Sequence, residues 1–117
     1  MKTLAIATAL LLAPTLVLAP RLAAAQAAAQ SAVPDGELLQ MIQGRTVTSG
    51  RAQLTYGADG SYTYNGRNPG HYRVANGQIC VDFNSGGSRC DTIVREGNQL
   101  FMVNRAGQRF DFQPPRS

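Results

Sequence analysis

Cys80 and Cys90 are the residues whose type and spacing most clearly carry chemistry, because they are the only two cysteines in a chain of 117 residues. They lie on either side of the Gly86-Gly87 turn signal, so a disulfide between them would span one β-hairpin. In an exported chain we expect this disulfide in preference to two free thiols. Closing a loop of about ten residues should stabilise the fold by about 2.5 to 3 kcal/mol. It would also remove both candidate thiol nucleophiles.

His71 is the one histidine of the chain. It could serve as a general base or metal ligand, or it could be a polar residue at the entrance to a strand. A metal site needs several ligands at a characteristic spacing, and the chain offers neither a second histidine nor a free thiol. We therefore interpret His71 as a polar strand residue and predict no metal site.

Asp82 and Asp91 are the acids that could form a carboxylate pair for acid–base chemistry, because both lie in the hairpin that the disulfide would span. We favour a second interpretation, in which they are exposed strand acids that face Arg89 or Arg95. The chain has no Gly-x-Ser-x-Gly motif to present a nucleophilic serine. The sequence thus predicts no catalytic residue, no cofactor and a protein that is not an enzyme.

Arginines interleaved with aromatic side chains could form a binding surface. The residues of this candidate surface are Arg67, His71, Tyr72 and Arg73, and a wider set adds Tyr64, Arg105, Arg109 and Phe110. The net charge of the chain is +4, and it falls to +2 once Lys2 and Arg21 leave with an export signal, since nine arginines then face seven acids. This charge is too small to predict nucleic-acid binding.

Residues 1–27 are predicted to be an export signal. Lys2 gives a positive start, an apolar run follows over residues 4–19, and Ala25-Gln26-Ala27 is a small-x-small site of the kind that signal peptidase cuts. The competing interpretation is a membrane anchor, but prolines and an arginine leave fewer than the roughly 20 uninterrupted apolar residues that a bilayer span needs. We therefore expect a periplasmic or secreted protein without stable membrane insertion.

The remaining 117 − 27 = 90 residues suffice for one small domain. We expect residues 28–34 to be a disordered leader and residues 35–117 to form the domain. Asp35 is placed to cap a short helix with one apolar stripe, and Gly44 to end it. Because two turns of helix do not persist alone, the stripe should pack on the open end of a sheet.

Six glycine-centred turn signals divide the rest of the chain into short segments in which apolar residues alternate with polar ones. The signals are Asp59-Gly60, Asn65-Gly66, Asn76-Gly77, Gly86-Gly87, Gly97-Asn98 and Ala106-Gly107. They predict a mainly β fold, an antiparallel up-and-down meander of seven or eight short strands that forms a small barrel or curled sheet. A sandwich is the alternative, and it would need a long crossing connection. The residues expected to fill the interior are Tyr56, Tyr64, Phe83, Phe101 and Phe110.

Several segments of the domain share a recognisable layout. They are Leu39 to Thr46, Tyr56 to Gly60, Gly70 to Cys80 and Cys90. Over about residues 38–95 this layout resembles a group of small secreted alphaproteobacterial proteins, mostly of unknown function. In that group a helix ending in Gly-x-Thr precedes an Asp-Gly turn, a Gly-x-Trp strand and a Leu-Cys strand, and Tyr72 stands here in place of the Trp. The resemblance implies a small barrel similar to lipocalins or to bacterial protease inhibitors, without catalytic residues.

Two functions of different kinds fit these features. The first is a non-enzymatic protein of the bacterial envelope that binds a macromolecular partner, either a protein or an envelope component, through a sheet edge, a barrel rim or the leader. Protease inhibition is one specific form of it. The alternative is a lipocalin-like carrier of a small apolar ligand, which would need an interior that its own side chains leave open.

Overall fold

The computed structural model describes Thr3 and residues 30–116. Except for Thr3, the predicted export signal lies outside them. No helix in this described part is long and apolar enough to cross a membrane. The secondary structure is β1 Ser31–Ala32, α1 Asp35–Ile42, β2 Arg45–Ser49, β3 Ala52–Tyr56, β4 Ser61–Tyr64, β5 Arg67–Ala75, β6 Gln78–Phe83, β7 Ser88–Glu96, β8 Gln99–Val103 and β9 Arg109–Asp111.

Within the described residues, the strands form one nine-stranded antiparallel sheet in which each strand from β2 to β9 pairs with the next one along the chain. The two ends of this meander meet at a bridge. The N–H of Thr48 donates to the carbonyl of Gln113 at 3.0 Å, and the N–H of Gln113 donates to the carbonyl of Thr48 at 2.8 Å. The bridge nearly closes the sheet into a barrel. The predicted mainly β up-and-down meander with one short helix is thus confirmed over the sandwich alternative.

All six predicted turn signals lie at hairpin connections. Asn76-Gly77, between β5 and β6, shows why, because its two residues have φ angles of 55° and 74°. Two successive positive φ angles give a two-residue turn whose twist matches that of the strands it joins. The β2–β3 hairpin adds a turn outside the six signals, at Gly50, where φ is 57°.

Alternate side chains of the strands and one stripe of the helix fill the barrel interior. The largest fully buried members are Val33, Leu38, Ile42, Val47, Tyr56, Ile79, Ile93 and Phe112. The Tyr56 ring contacts the rings of Tyr62 and Tyr72, with centroids 5.4 and 5.1 Å away. The interior is therefore a packed core of aliphatic side chains around a tyrosine cluster.

The interior aromatics differ in part from the prediction. In β8, Met102 is buried and lies opposite the fully buried Ile93, whereas Phe101 lies on the outer face with the Arg109 guanidinium 4.4 Å over its ring. Tyr64 and Phe110 remain 37% and 42% exposed. In β8 the residues Leu-Phe-Met-Val are apolar at every position, so alternation alone does not indicate which residues face inward.

Helix α1 packs on one end of the barrel through Leu38 and Ile42, neither of which retains exposed surface. We call this end the helix end. Asp35 does not cap the helix as predicted, because Pro34 occupies the N-cap position. The Asp35 carboxylate instead accepts hydrogen bonds from the backbone N–H groups of Asn76 at 2.9 Å and Gly77 at 2.7 Å. It thus ties the helix to the β5–β6 turn.

The expectation that residues 28–34 form a disordered leader is wrong for residues 31–33. Ser31 and Ala32 form β1, which pairs with β7, and Val33 is buried in the core with 1% of its surface exposed. Residues 28 and 29 lie outside the described residues. A two-residue strand carries no periodicity, so the sequence held no pattern that indicated this pairing.

Candidate binding site at the open end of the barrel

Cys80 and Cys90 form the predicted disulfide. They lie directly opposite each other in β6 and β7, with Cα atoms 4.0 Å apart. The next pair along the ladder, Ile79 and Asp91, is buried and faces the interior, so the disulfide lies on the outer face. It ties β6 to β7 without occupying space inside the barrel.

The end of the barrel opposite α1 is the open end. Consecutive strands run in opposite directions, so their turns alternate between the two ends, and the turn bound by Asp35 marks the helix end. The turns at the open end are residues 50–51, 65–66, 84–87 and 104–108. The side chains that face inward near these turns have no helix above them in the described chain.

An ion pair between Arg89 and Asp91 lies just inside the open end. Asp91 is 4% exposed, and its carboxylate accepts from Arg89 Nε at 2.8 Å and Nη2 at 3.0 Å. This bidentate bond raises the pKa of Arg89, so the guanidinium stays charged. The Arg89 side chain keeps 41% of its surface exposed. The pair therefore presents a positioned guanidinium to solvent over a buried carboxylate.

The prediction for the acids of this hairpin is wrong for Asp91 and only partly right for Asp82. Asp91 is buried rather than exposed, although it does bind Arg89. Asp82 is exposed, and its partner is Arg73 at 2.7 Å. The register places Asp82 opposite Ser88, on the outer face, so the two carboxylates do not approach each other as an acid–base pair.

A small cavity of about 110 Å³ opens beside Arg89 at this end. Its walls include Ala52, Leu54, Tyr64, Arg89, Met102 and Phe110. The two aromatic rings are the half-exposed ones, which places apolar surface next to a cation at the mouth of the barrel. We call this cavity the mouth. It has room for a group about the size of one side chain, since a cavity of about 150 Å³ accommodates benzene.

A larger cleft of about 660 Å³ lies beside β7, and Arg89 forms part of its wall as well. It exists because β7 extends past the end of β8. The last β7–β8 pair is Thr92 with Val103, so within the described chain the segment Ser88–Asp91 pairs with β6 on one side only. We call this segment the β7 edge. Asn104 and Arg105, in the turn after β8, form the opposite wall.

The β7 edge directs backbone groups into the cleft. The N–H of Ile93 donates to the carbonyl of Gly77, on the β6 side of the strand. Because backbone groups alternate along an antiparallel strand, those of Ser88 and Cys90 point to the opposite side. Their N–H and C=O groups have no strand partner there among the described residues. Such an edge is a template for pairing with another extended chain.

The open end is rich in arginine without matching acids. Arg73, Arg89, Arg95 and Arg109 each form an ion pair with an acid. For three further arginines near the open-end turns, Arg51, Arg67 and Arg105, no ion pair occurs among the described residues. The one other acid close by, Asp111, accepts the backbone N–H of Gly50 at 2.6 Å. The potential around the mouth and the cleft is therefore positive.

The structure does not bring the predicted surface residues together. Tyr72 faces the interior, where its hydroxyl donates to the carbonyl of Gly57 at 2.8 Å. His71 and Arg73 lie on the outer face of the same strand, since they alternate with Tyr72. Arg67 begins that strand at the open end. Of these four residues, Arg67 alone lies near the mouth.

Sequence reasoning missed the inward-facing position of Asp91. One signal could have found it, because Asp91 lies two residues before Ile93 and shares its face of the strand. A charged residue in phase with a core residue is either an exposed strand end or a buried group with a partner. Arg89, two residues earlier again, is that partner.

The tyrosine cluster at the centre of the barrel carries no charge at neutral pH. Burial raises the pKa of Tyr62 from its ordinary 10.0 to about 12. Burial, and next to it the proximity of Tyr62, raises the pKa of Tyr56 further. These phenols therefore act as core side chains. Among the described residues, no group of three or more His, Cys, Asp or Glu side chains is placed to hold a metal ion.

Comparison of the chain with protein-family models, with curated proteins and with solved structures gave no match. The residues at the open end of the barrel are therefore the basis on which a function is inferred.

Proposed function

We propose that this chain is a non-enzymatic binding protein, secreted or periplasmic, that engages a macromolecular partner at the open end of its barrel. The observation that carries the proposal is the β7 edge, Ser88–Asp91, which lies unpaired beside the large cleft. Exposed edges are usually short, covered or blocked by lysine or proline. This one is short, but a cleft on its free side leaves room for another chain.

The filled interior supports a macromolecular partner over the carrier alternative. Pockets for small ligands usually have volumes of about 300 to 1,000 Å³ and enclose most of the ligand. The mouth has about 110 Å³, and the core behind it is occupied by side chains such as Tyr56 and Ile93. The larger cleft lies beside the sheet and not within the barrel. An apolar ligand would thus find little enclosed space.

An exported location is part of the proposal. A disulfide persists in an oxidising compartment, which fits the periplasm or the extracellular space, and the predicted export signal agrees with it. Protease inhibition remains one specific form of the binding function. A panel of secreted proteases tests that form, and unchanged activity of every protease in the presence of the protein would remove it.

Site-specific photo-crosslinking tests the binding function directly. A photoreactive residue at Ser88, on the β7 edge, is compared with the same residue at Gln53, an exposed position on β3. Both variants are exported in the native host and irradiated in cells. We expect a discrete cross-linked macromolecule from position 88 and none from position 53. If neither position, or both equally, gives a product, the proposed binding surface is wrong.

A further inference from the structure

The chemistry of the cleft indicates what kind of partner it fits, an inference that rests on the proposed function. We propose that an extended acidic segment of a partner protein adds to β7 as a strand at Ser88–Asp91 and directs a carboxylate at Arg89 and Arg105. Three features support it. They are the unpaired backbone groups, the two arginines that share the cleft, and the mouth beside one of them.

The backbone of the β7 edge determines the first part of the interaction. Four residues at about 3.3 Å each give an edge of about 13 Å, enough to pair with a segment of similar length. Ser88 and Cys90 each offer one N–H donor and one C=O acceptor toward the cleft. Peptides that add a strand to a sheet gain affinity from these main-chain bonds and specificity from alternate side chains. A polymer without regularly spaced amides cannot make the same bonds.

The side chains of the cleft determine the second part. Arg89 uses Nε and Nη2 to hold Asp91, which leaves Nη1 without a partner among the described residues. Arg105 lies in the opposite wall of the cleft. Its turn is ordered by Asn104, whose Oδ1 accepts the N–H groups of Ala106 at 3.0 Å and Gln108 at 2.9 Å. Two arginines therefore line one cleft, and the single carboxylate that lines it with them is already paired with Arg89.

The mouth accounts for the position of the acidic residue. Side chains of an added strand alternate between the two faces of the sheet. A residue on the face of Arg89 would point toward the mouth, whereas its neighbours would point outward beside Cys90. The mouth holds one small group, and Arg89 forms part of its wall. An aspartate or glutamate there would make a charge-assisted bond to a guanidinium that Asp91 already holds in place.

The test uses synthetic peptides and the exported, disulfide-bonded protein labelled with ¹⁵N. The probe is a blocked heptapeptide of alternating valine and glutamate, and its lysine and glutamine counterparts are the controls for charge. An oligogalacturonate is the control for a polyanion without peptide groups. We expect the glutamate peptide to shift the amide signals of Ser88 to Asp91 and to bind at least about tenfold more tightly than the lysine peptide, a difference of about 1.4 kcal/mol.

Two variants locate the interaction without disturbing the Arg89–Asp91 pair. Arg105→Gln should weaken binding of the glutamate peptide about fivefold or more, whereas Arg116→Gln, an exposed arginine near the end of the chain, should leave it unchanged. Ser88→Pro removes an N–H that faces the cleft and is not used by β6. It should abolish the peptide-induced shifts while the rest of the spectrum stays folded.

Several results would overturn the inference. They are equal binding of the lysine peptide, equal shifts of the same amides by oligogalacturonate, shifts confined to another surface, or no binding of the glutamate peptide at millimolar concentration. Each is distinguishable from failure of the proposed function. If position 88 still cross-links to a macromolecule in cells while the glutamate peptide does not bind, the binding function stands and the acidic strand is wrong.

Discussion

Asp35, in the first turn of α1, accepts a hydrogen bond at 2.7 Å from the backbone N–H of Gly77, in the turn between β5 and β6. A second bond, from the N–H of Asn76, binds the other carboxylate oxygen at 2.9 Å. One side chain thus satisfies two backbone donors of a distant turn. The helix is held over the barrel by this contact as well as by its buried apolar residues.

Replacing Asp35 by alanine should therefore destabilise the fold. A hydrogen bond to a charged group contributes about 1.5 to 3 kcal/mol, and partial exposure reduces this, so we expect Asp35→Ala to lower the free energy of unfolding by about 2 kcal/mol. Asp82→Ala is the matched control. Its exposed pair with Arg73 should contribute about 0 to 1 kcal/mol. Urea unfolding measures both, and equal losses would contradict the assigned role of Asp35.

Removing the disulfide should destabilise the protein mainly by giving the unfolded chain more conformational freedom. We expect the double variant Cys80→Ser, Cys90→Ser to lose about 2.5 to 3 kcal/mol of unfolding free energy. Reducing agent should destabilise the parent protein by a similar amount and leave the double variant unaffected. Unfolding curves in urea with and without dithiothreitol provide the measurement. A variant as stable as the parent would show that the bridge contributes nothing.

Removing Arg89 should lower the free energy of unfolding more than removing Asp91 does. Arg89→Met leaves a buried carboxylate without a cation, which costs about 3 kcal/mol or more. Asp91→Leu frees a guanidinium that is already partly exposed and can reach water, so a loss of about 1 kcal/mol is expected. Thermal or urea unfolding of the two single variants and the double variant tests this order. The reverse order would mean that Asp91 is not buried as described.

Alanine substitutions at Gly70 and at Gly36 should change the free energy of unfolding in opposite directions. A Cβ at Gly70 would lie 2.5 Å from the backbone carbonyl oxygen of Asp82, so β5 and β6 would have to separate. We expect Gly70→Ala to destabilise the fold by about 1 to 3 kcal/mol. At Gly36, in α1, nothing lies within 4 Å of the added carbon. Gly36→Ala should stabilise the fold by about 0.5 to 1 kcal/mol. Urea unfolding measures both variants, and a change in the same direction for both would contradict this prediction.

The buried tyrosines predict loss of stability at high pH. Burial raises the pKa of Tyr56 and brings that of Tyr62 to about 12, above the 10.0 of an unfolded tyrosine. A raised folded-state pKa means that the stabilisation is complete below pH 10 and is lost as the pH rises toward 12. Circular dichroism should thus show unfolding in the same pH range in which absorbance at 295 nm shows the buried tyrosines ionising, above the pH at which exposed tyrosines ionise. The double variant Tyr56→Phe, Tyr62→Phe should unfold at higher pH, and an unchanged midpoint would contradict the assignment.

Local chemistry explains which parts of the fold could be predicted from the sequence. Asn76-Gly77 and the other turn signals specify hairpins through backbone conformation, and Cys80 and Cys90 specify their own bridge. These features depend on residues close together in the chain. The meander and the disulfide followed from them.

Other features depend on contacts that leave little local pattern. In β8, Phe101 and Met102 are both apolar, so the choice of the inward residue depends on the partner strand. Asp91 shares the inward face of Ile93, but that spacing fits an exposed strand end equally well, so the pattern alone does not indicate its burial beside Arg89. The pairing of β1 with β7 joins distant parts of the chain. The candidate binding site at the open end consists largely of such features, so the sequence alone indicated a different set of residues around Tyr72.

The bridge between Thr48 and Gln113 also bears on the order of assembly. Gln113 follows the nine strands of the described chain, so the barrel cannot close before the last of them is available. Contacts between such distant segments form slowly. Until then β2 keeps a bare edge to which another nascent chain can add. A polypeptide that stopped short of residue 113 would keep that edge, and it should self-associate more than the longer chain does.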